Sequence, residues 1–353
     1  MKSSTKMKRS LLNGSLLAFS SLIVFLAAEM LLRMSIFGFN SLSIERMNST
    51  HPIGTSGLVQ PSSHQEILWE LKPNQDALFR FSRIRTNSQG LRDREYQQVK
   101  PQNTYRIAVI GDSFTMGSGV EIEHVYHKIL EERLNRESKG RRFELINFGV
   151  GGYSLRQYAA VMKYKALSYD PDLVLIGFCG MNDSWQETPD EKFRKPYEVK
   201  STSHPFFRSF LWELLRVHFA RRFPRERKSI DLPYLEKYFG EIGDLSRETR
   251  VPVVVTYLSL ESRDFRPIQR LAEENRLFFA DASYPFRGKK LSEYIIYKID
   301  PHPSAKGHQL FADAIYDSLV STEELGISTL LAPGAERRRS LAVGLGSAGS
   351  AGH

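Results

Sequence analysis

The 353-residue sequence contains a single cysteine, Cys179, which excludes an internal disulfide and any metal cluster built on thiolates. Cys179 lies inside an apolar run, where a thiol packs as a small hydrophobic group. Histidines and carboxylates do not gather at metal-ligand spacing, so neither a metal nor a cofactor is expected. No internal repeat is visible, which excludes a repeat architecture. The net charge of +9 comes without the interleaved basic and aromatic residues of a nucleic-acid module. The basic residues gather instead at the N-terminus, in Arg221 to Lys228 and in Arg337 to Arg339, which reads as a solvated or membrane-facing surface. What is present, 41% hydrophobic and 25% charged residues, is the composition of a folded globular chain. Its length accommodates one domain of roughly 200 residues with appendages.

Lys2, Lys6, Lys8 and Arg9 precede Ser10 to Ala28, a stretch of 19 residues without a charge. As a helix this stretch is about 28 Å long, enough to cross the hydrocarbon core of a bilayer. The basic residues 1–9 should stay in the cytoplasm, with residues 10–37 as a transmembrane signal anchor and everything after Glu29 on the extracytoplasmic side. A cleaved signal peptide competes, since Ala18 and Ser20 are small enough for a cleavage site. The length of the uncharged stretch favours the uncleaved anchor, and either way the bulk of the chain is exported.

Residues 38–100 are rich in Ser, Pro, Asn and Gln and read as a spacer with a little structure. Beyond them, short apolar runs alternate with stretches of helical periodicity. The runs predict strands at Tyr105 to Ile110, Phe143 to Asn147, Leu173 to Phe178, Val251 to Tyr257 and Leu277 to Ala280. Helices are predicted at His124 to Arg136, Leu155 to Leu167, Tyr234 to Arg247, Pro267 to Asn275 and Ser304 to Leu319. Apolar strands alternating with amphipathic helices imply a parallel sheet covered on both faces, a three-layer α/β/α domain over 101–322. Residues 184–232 interrupt the alternation. This insertion carries the aromatic, Leu-rich stretch Phe206 to Phe219 before a basic run, and reads as a surface helix, a cap or a membrane-leaning helix. The segment 323–353, ending in Gly, Ser, Ala and Arg, is expected to be a disordered tail.

In an open parallel sheet, chemistry belongs at the carboxyl ends of strands. Four loops there carry suggestive residues. The first strand ends in Gly111-Asp112-Ser113-Phe114-Thr115, where a glycine permits a tight turn and a serine sits at the start of a helix. The second ends in Asn147-Phe148-Gly149-Val150-Gly151-Gly152-Tyr153-Ser154, and the third in Gly180-Met181-Asn182-Asp183. Asp300-Pro301-His302-Pro303 stands before the last helix, its prolines stiffening the loop that carries an imidazole. Each block alone is compatible with an ordinary turn or helix cap.

In this order the four blocks resemble the SGNH hydrolases, also called GDSL esterases and lipases, over about 220 residues. The resemblance implies the SGNH hydrolase fold with a flavodoxin-like parallel sheet. It implies Ser113 as nucleophile, His302 as general base and Asp300 as the carboxylate that orients it. It also implies an oxyanion hole made of the N–H groups of Ser113 and Gly152 and the side-chain amide of Asn182. These roles suit the chemistry, because a serine hydroxyl is a poor nucleophile until a base takes its proton, and imidazole is a suitable base near neutral pH. One departure stands out: the family's aspartate usually lies three residues before the histidine, whereas Asp300 lies two before His302. In an extended segment positions i and i+2 share a face, which keeps the contact possible. Asp112 and Asp183 are expected to hydrogen-bond the loops and His308 to be structural. Upstream, Asn87-Ser88-Gln89-Gly90-Leu91-Arg92 resembles a segment of some exported, singly anchored members. A polar turn around Gly90 and a substrate contact are both open for it.

The expected activity is that of an exported serine esterase on carboxylic, preferably O-acetyl, esters, with an acylated small molecule or glycan as substrate and the membrane as its other partner. An O-acyltransferase acting on an exported polysaccharide shares the same acyl-enzyme. A non-catalytic SGNH-fold binding module is a third reading, and its mark would be a lost block.

Overall fold

In the computed structural model the first nine-tenths of the N-terminal segment 2–40 is one helix, Lys2–Phe37. The part Leu12–Phe37 is long and apolar enough to cross a membrane, as a signal sequence or an anchor would be. Its Leu16, Leu17, Phe19, Leu22 and Val24 side chains point outward. The structure describes residues 2–50, 53–180, 183, 209–222, 230–261, 264–297 and 300–332. Most of the insertion 184–232, the tail beyond 332 and Asn182 lie outside the described residues.

The chain divides into two compact units, residues 1–51 with 200–227, and residues 52–199 with 228–353. In the first, Glu29 and Arg33 are buried and paired, Arg33 Nε donating to Glu29 at 2.8 Å. The Glu29 carboxylate also accepts from the Ser209 hydroxyl at 3.0 Å and from the N–H groups of Phe210 and Leu211, both at 2.9 Å. It thereby caps the positive end of the helix Phe210–Arg222. That helix overlaps the aromatic stretch read from the sequence, and it exposes Trp212, Leu215 and Phe219 along one face.

The second unit begins with two small antiparallel pairs, β1 (Val59–Pro61) with β2 (Trp69–Leu71), and β3 (Asp76–Phe79) with β4 (Ser82–Arg85). The segment read as a spacer is thus more structured than its polar composition suggests. Ile67, Trp69, Leu71, Phe79 and Ile84 are its buried anchors.

The five apolar runs form β5 (Thr104–Gly111), β6 (Arg142–Asn147), β7 (Leu173–Cys179), β8 (Val253–Leu258) and β9 (Phe278–Asp281). They pair in parallel in the order β6-β5-β7-β8-β9, the flavodoxin-like order. Every residue of β5, β7 and β8 is buried, as expected of strands covered on both faces. The period of two sorts them between two cores. Ala108, Ile110, Val174, Ile176 and Val255 pack with Tyr158, Val161, Leu235, Phe239 and Ile268 from the helices Leu155–Tyr164, Leu232–Thr249 and Arg266–Glu274. Ile107, Val109, Leu173, Leu175 and Val254 pack with Tyr126, Leu130, Leu134, Phe311 and Ile315 from the helices Tyr126–Glu137 and Ala305–Ser321. The fold is the three-layer α/β/α architecture. A further hairpin, β10 (Ile295–Tyr297) with β11 (Asp300–Pro303), precedes the last helix and was not visible as a strand pair in the sequence.

Candidate active site

Ser113 opens a four-residue helix, Ser113–Met116, directly after β5. The turn is tight because Gly111 has no side chain: a Cβ there would run into Thr115 and lie 3.1 Å from the Gly177 carbonyl. Asp112 is the N-cap, its carboxylate accepting from the Phe114 N–H at 2.8 Å. Gly117, with φ of +82°, ends the helix. Behind it the Thr115 and Tyr126 hydroxyls meet at 2.8 Å.

The loop after this helix is held by Arg92, which is buried. Its guanidinium donates to the carbonyls of Met116 at 2.9 Å, Gly117 at 2.5 Å, Val120 at 2.7 Å and Arg83 at 3.0 Å. Burial away from water pulls the Arg92 pKa down to about 10. The preceding residues form the polar turn: Asn87 Oδ1 accepts from the N–H groups of Gln89 and Leu91 at 3.0 and 2.9 Å. Gly90, with φ of +76°, presses against the Leu71 carbonyl where no side chain fits. The segment Asn87 to Arg92 therefore carries a cation inward to the loop behind Ser113.

The other half of the site comes from β11, where the extended backbone puts Asp300 and His302 on one side. His302 Nδ1 lies 2.5 Å from Asp300 Oδ1 and its Nε2 lies 2.9 Å from Ser113 Oγ. The two-residue spacing is thus compatible with contact, for the geometric reason given above. The His302 ring also borders Phe114, with centroids 5.8 Å apart. Asp300 is buried, whereas Ser113 and His302 are half-buried and within reach of a ligand. Burial alone would raise the Asp300 carboxyl, but the hydrogen bond and charge of His302, together with Arg80, outweigh it and hold the group well below the usual carboxylate range. Arg80 Nη1 lies 2.5 Å from the second oxygen, Oδ2.

The glycine-rich loop after β6 packs on the Ser113 helix. A Cβ at Gly149 would stand 2.6 Å from the Met116 backbone nitrogen, so only glycine allows the approach. Asn147 Oδ1 accepts from Gly149 N–H at 2.9 Å, and Trp69 Nε1 donates to the Gly151 carbonyl at 3.3 Å. Gly152 is exposed and has φ of +83°. Asn182 lies outside the described residues, but its neighbour Asp183 is buried, its Oδ2 accepting from Tyr158 Oη at 2.9 Å and from the Cys179 N–H at 2.7 Å. Burial, reinforced by the nearby Asp112 charge, holds the Asp183 carboxyl well above its ordinary range. His308 is buried as well, with Nδ1 accepting from Tyr126 N–H at 3.4 Å. Among the described residues no group of three His, Cys, Asp or Glu side chains is arranged to hold a metal ion.

The structure brings Ser113, His302 and Asp300 into one hydrogen-bonded line and the Gly149–Gly152 loop beside it. Sequence reasoning missed Arg80, Trp69 and the inward role of Arg92. Arg80 lies 220 positions from Asp300, and no local pattern announces such a contact.

The chain belongs to the GDSL-like lipase/acylhydrolase family, whose sequence pattern matches residues 109–310, more than half of its length. Membership makes it a hydrolase acting on esters. Among solved structures it is similar to a catalytic mutant of Axe2, an acetylxylan esterase from Geobacillus stearothermophilus, at 18% identity and a TM-score of 0.40, over 61% of this chain and 94% of that one. It is similar to TesA at 14% identity and a TM-score of 0.41, over 61% and 97%. LAE5, an alpha/beta hydrolase enzyme from the metagenome of Lake Arreo in Spain, is similar at 18% identity and a TM-score of 0.40, over 61% and 94%. No curated protein matches the sequence.

Proposed function

We propose that the protein is an exported serine esterase that removes acyl groups, preferably O-acetyl groups on a glycan, through an acyl-enzyme on Ser113. The observation that carries this reading is the line Ser113 Oγ, His302 Nε2, His302 Nδ1, Asp300 Oδ1, with links of 2.9 and 2.5 Å. Ser113 Oγ attacks the acyl carbon as His302 Nε2 takes its proton, and the carbonyl π pair moves to oxygen. The tetrahedral species collapses, the alcohol leaves with the proton from Nε2, and water repeats the two steps to free the acid and Ser113. Asp300 keeps Nδ1 protonated and stabilises the imidazolium. The N–H groups of Ser113 and Gly152 and the Asn182 amide are the proposed donors to the oxyanion, each contributing about 10² to 10³ in rate.

The N-terminal helix acts in this reading as an uncleaved anchor, with Lys2, Lys6, Lys8 and Arg9 on the cytoplasmic side and the hydrolase unit outside. The O-acetyl glycan preference rests on the family and on that location.

The test is acid release by the full-length protein in detergent from a panel of acetylated sugars, aryl acetates and longer acyl esters. Release should be fastest from acetyl esters and vanish in Ser113→Ala. Turnover that survives Ser113→Ala would overturn the assignment of the nucleophile, and preference for long acyl chains would overturn the substrate class.

A further inference from the structure

We propose that Arg80 is a positioning residue of the site: it holds Oδ2 of Asp300 so that Oδ1 stays directed at His302, and it does so from a hairpin turn tied to the loop behind Ser113. The inference rests on the Ser113, His302 and Asp300 reading.

The turn between β3 and β4 consists of Arg80 and Phe81 alone, because Phe79 pairs with Ser82. Both residues have positive φ, +45° and +72°. A two-residue hairpin of this kind is ordinarily built from Asn-Gly or Gly-Gly, residues that tolerate the left-handed region. A long cation followed by an aromatic ring is a strained choice, and such strain persists where the surroundings over-determine it and clusters at functional sites.

Here the surroundings do so. Phe79 and Ile84 are buried on either side of the turn. Arg83 in β4 is tied to the loop behind Ser113 directly, its N–H donating to Glu121 at 3.0 Å, and indirectly, its carbonyl accepting from Arg92 at 3.0 Å. The same Arg92 holds the carbonyls of Met116 and Gly117. Gly119 comes so close to the turn that a Cβ would stand 3.1 Å from the Arg80 carbonyl. The hairpin therefore rides on the loop that follows the nucleophile and reaches across to the strand that carries the base. It couples two elements nearly 190 residues apart, and the Arg80 side chain, itself only 24% exposed, completes the link at 2.5 Å from a carboxylate that is 8% exposed.

Charge makes the role distinguishable from mere packing. Among the described residues the titratable groups facing the Asp300 and His302 pair are Arg80 from the hairpin and His308 from the last helix, with His124 and Arg92 acting on His308. Burial pulls His308 down to about 3, so it is neutral in the working range. Among the described residues Arg80 is then the cation in contact with the pair, through Asp300.

The experiment measures kcat and KM on an aryl acetate for full-length wild type, Arg80→Met, Arg80→Lys and Ser113→Ala. Arg80→Met should lower kcat on the order of 10- to 100-fold with little change in KM, the size expected when a reacting group is misaligned. Arg80→Lys should recover most of kcat, and it serves as the decisive variant if Arg80→Met does not fold. An unchanged kcat in Arg80→Met, or a loss that Arg80→Lys does not repair, overturns the proposal while an inactive Ser113→Ala leaves the triad reading standing. An active Ser113→Ala overturns both.

Discussion

Replacing Asp300 by asparagine should harm the enzyme more than replacing it by alanine, although asparagine is the closer isostere. The two carboxylate oxygens are committed in opposite directions, Oδ1 to His302 Nδ1 and Oδ2 to Arg80, each at 2.5 Å. An amide offers one oxygen and one NH₂, and a guanidinium can only donate. The charge-assisted bond to Arg80 is the stronger claim on the oxygen, so the NH₂ of Asp300→Asn is turned toward Nδ1. The imidazole must then accept at Nδ1 and carry its proton on Nε2, where it faces Ser113 Oγ as a donor instead of a base. A base held in the wrong tautomer costs about 10⁴ in kcat, roughly 5.5 kcal/mol of transition-state stabilisation. Asp300→Ala leaves the tautomer free and should retain more activity than Asp300→Asn. Adding Arg80→Met to Asp300→Asn releases the amide to flip and should recover activity. Initial rates on an aryl acetate decide the matter: Asp300→Asn matching or exceeding Asp300→Ala, or a double variant no better than Asp300→Asn, would refute the reasoning.

Arg92→Met strips the donors from four carbonyls at a buried site and should destabilise the protein by about 3 to 5 kcal/mol in guanidinium unfolding, with Arg92→Lys little better because one ammonium cannot span the fork; a loss below about 1 kcal/mol would contradict the clamp. Gly149→Ala should abolish most activity, since its methyl stands 2.6 Å from the Met116 nitrogen and displaces either the loop or the Ser113 helix; wild-type kcat would show that the loop gives way. For pH, the depressed His308 means that the unfolded chain binds a proton that the folded chain refuses between its ordinary value and about 3. Its contribution is therefore complete above pH about 6.5 and is lost as the pH falls, by up to about 1.4 kcal/mol per unit. Asp183, raised by burial, works with the opposite sign, so the informative quantity is the difference between wild type and His308→Gln. That stability difference should shrink steadily below pH about 6.5 in chemical unfolding, and a pH-independent difference would contradict the burial argument.

The central sheet was legible because its strands β5, β7 and β8 are buried throughout, which forces apolar runs such as Ile107 to Ile110 and Leu173 to Phe178. The observed strand boundaries differ from the predicted ones by two residues at most. The pairing of Asp300 with His302 came from the family resemblance, and the period of an extended chain showed only that their two-residue spacing permits contact. What escaped was the segment 59–85. Its strands are three or four residues long, and its turns place Leu68, Arg80 and Phe81 at positive φ without the glycines or asparagines that announce such turns. Arg80 and Trp69 reach the site only through pairings across 220 and 82 positions, which no local pattern encodes. The polar composition of that segment concealed how much of it is anchored on Trp69, Phe79 and Ile84.

The claim that Ser113 forms the covalent bond is tested most directly by labelling the full-length protein with a fluorophosphonate and mapping the adduct by mass spectrometry. One adduct is expected, on the peptide that contains Ser113, absent in Ser113→Ala and formed far more slowly in His302→Ala. An adduct that persists in Ser113→Ala, or a wild-type protein that hydrolyses esters yet takes no label, would contradict the account.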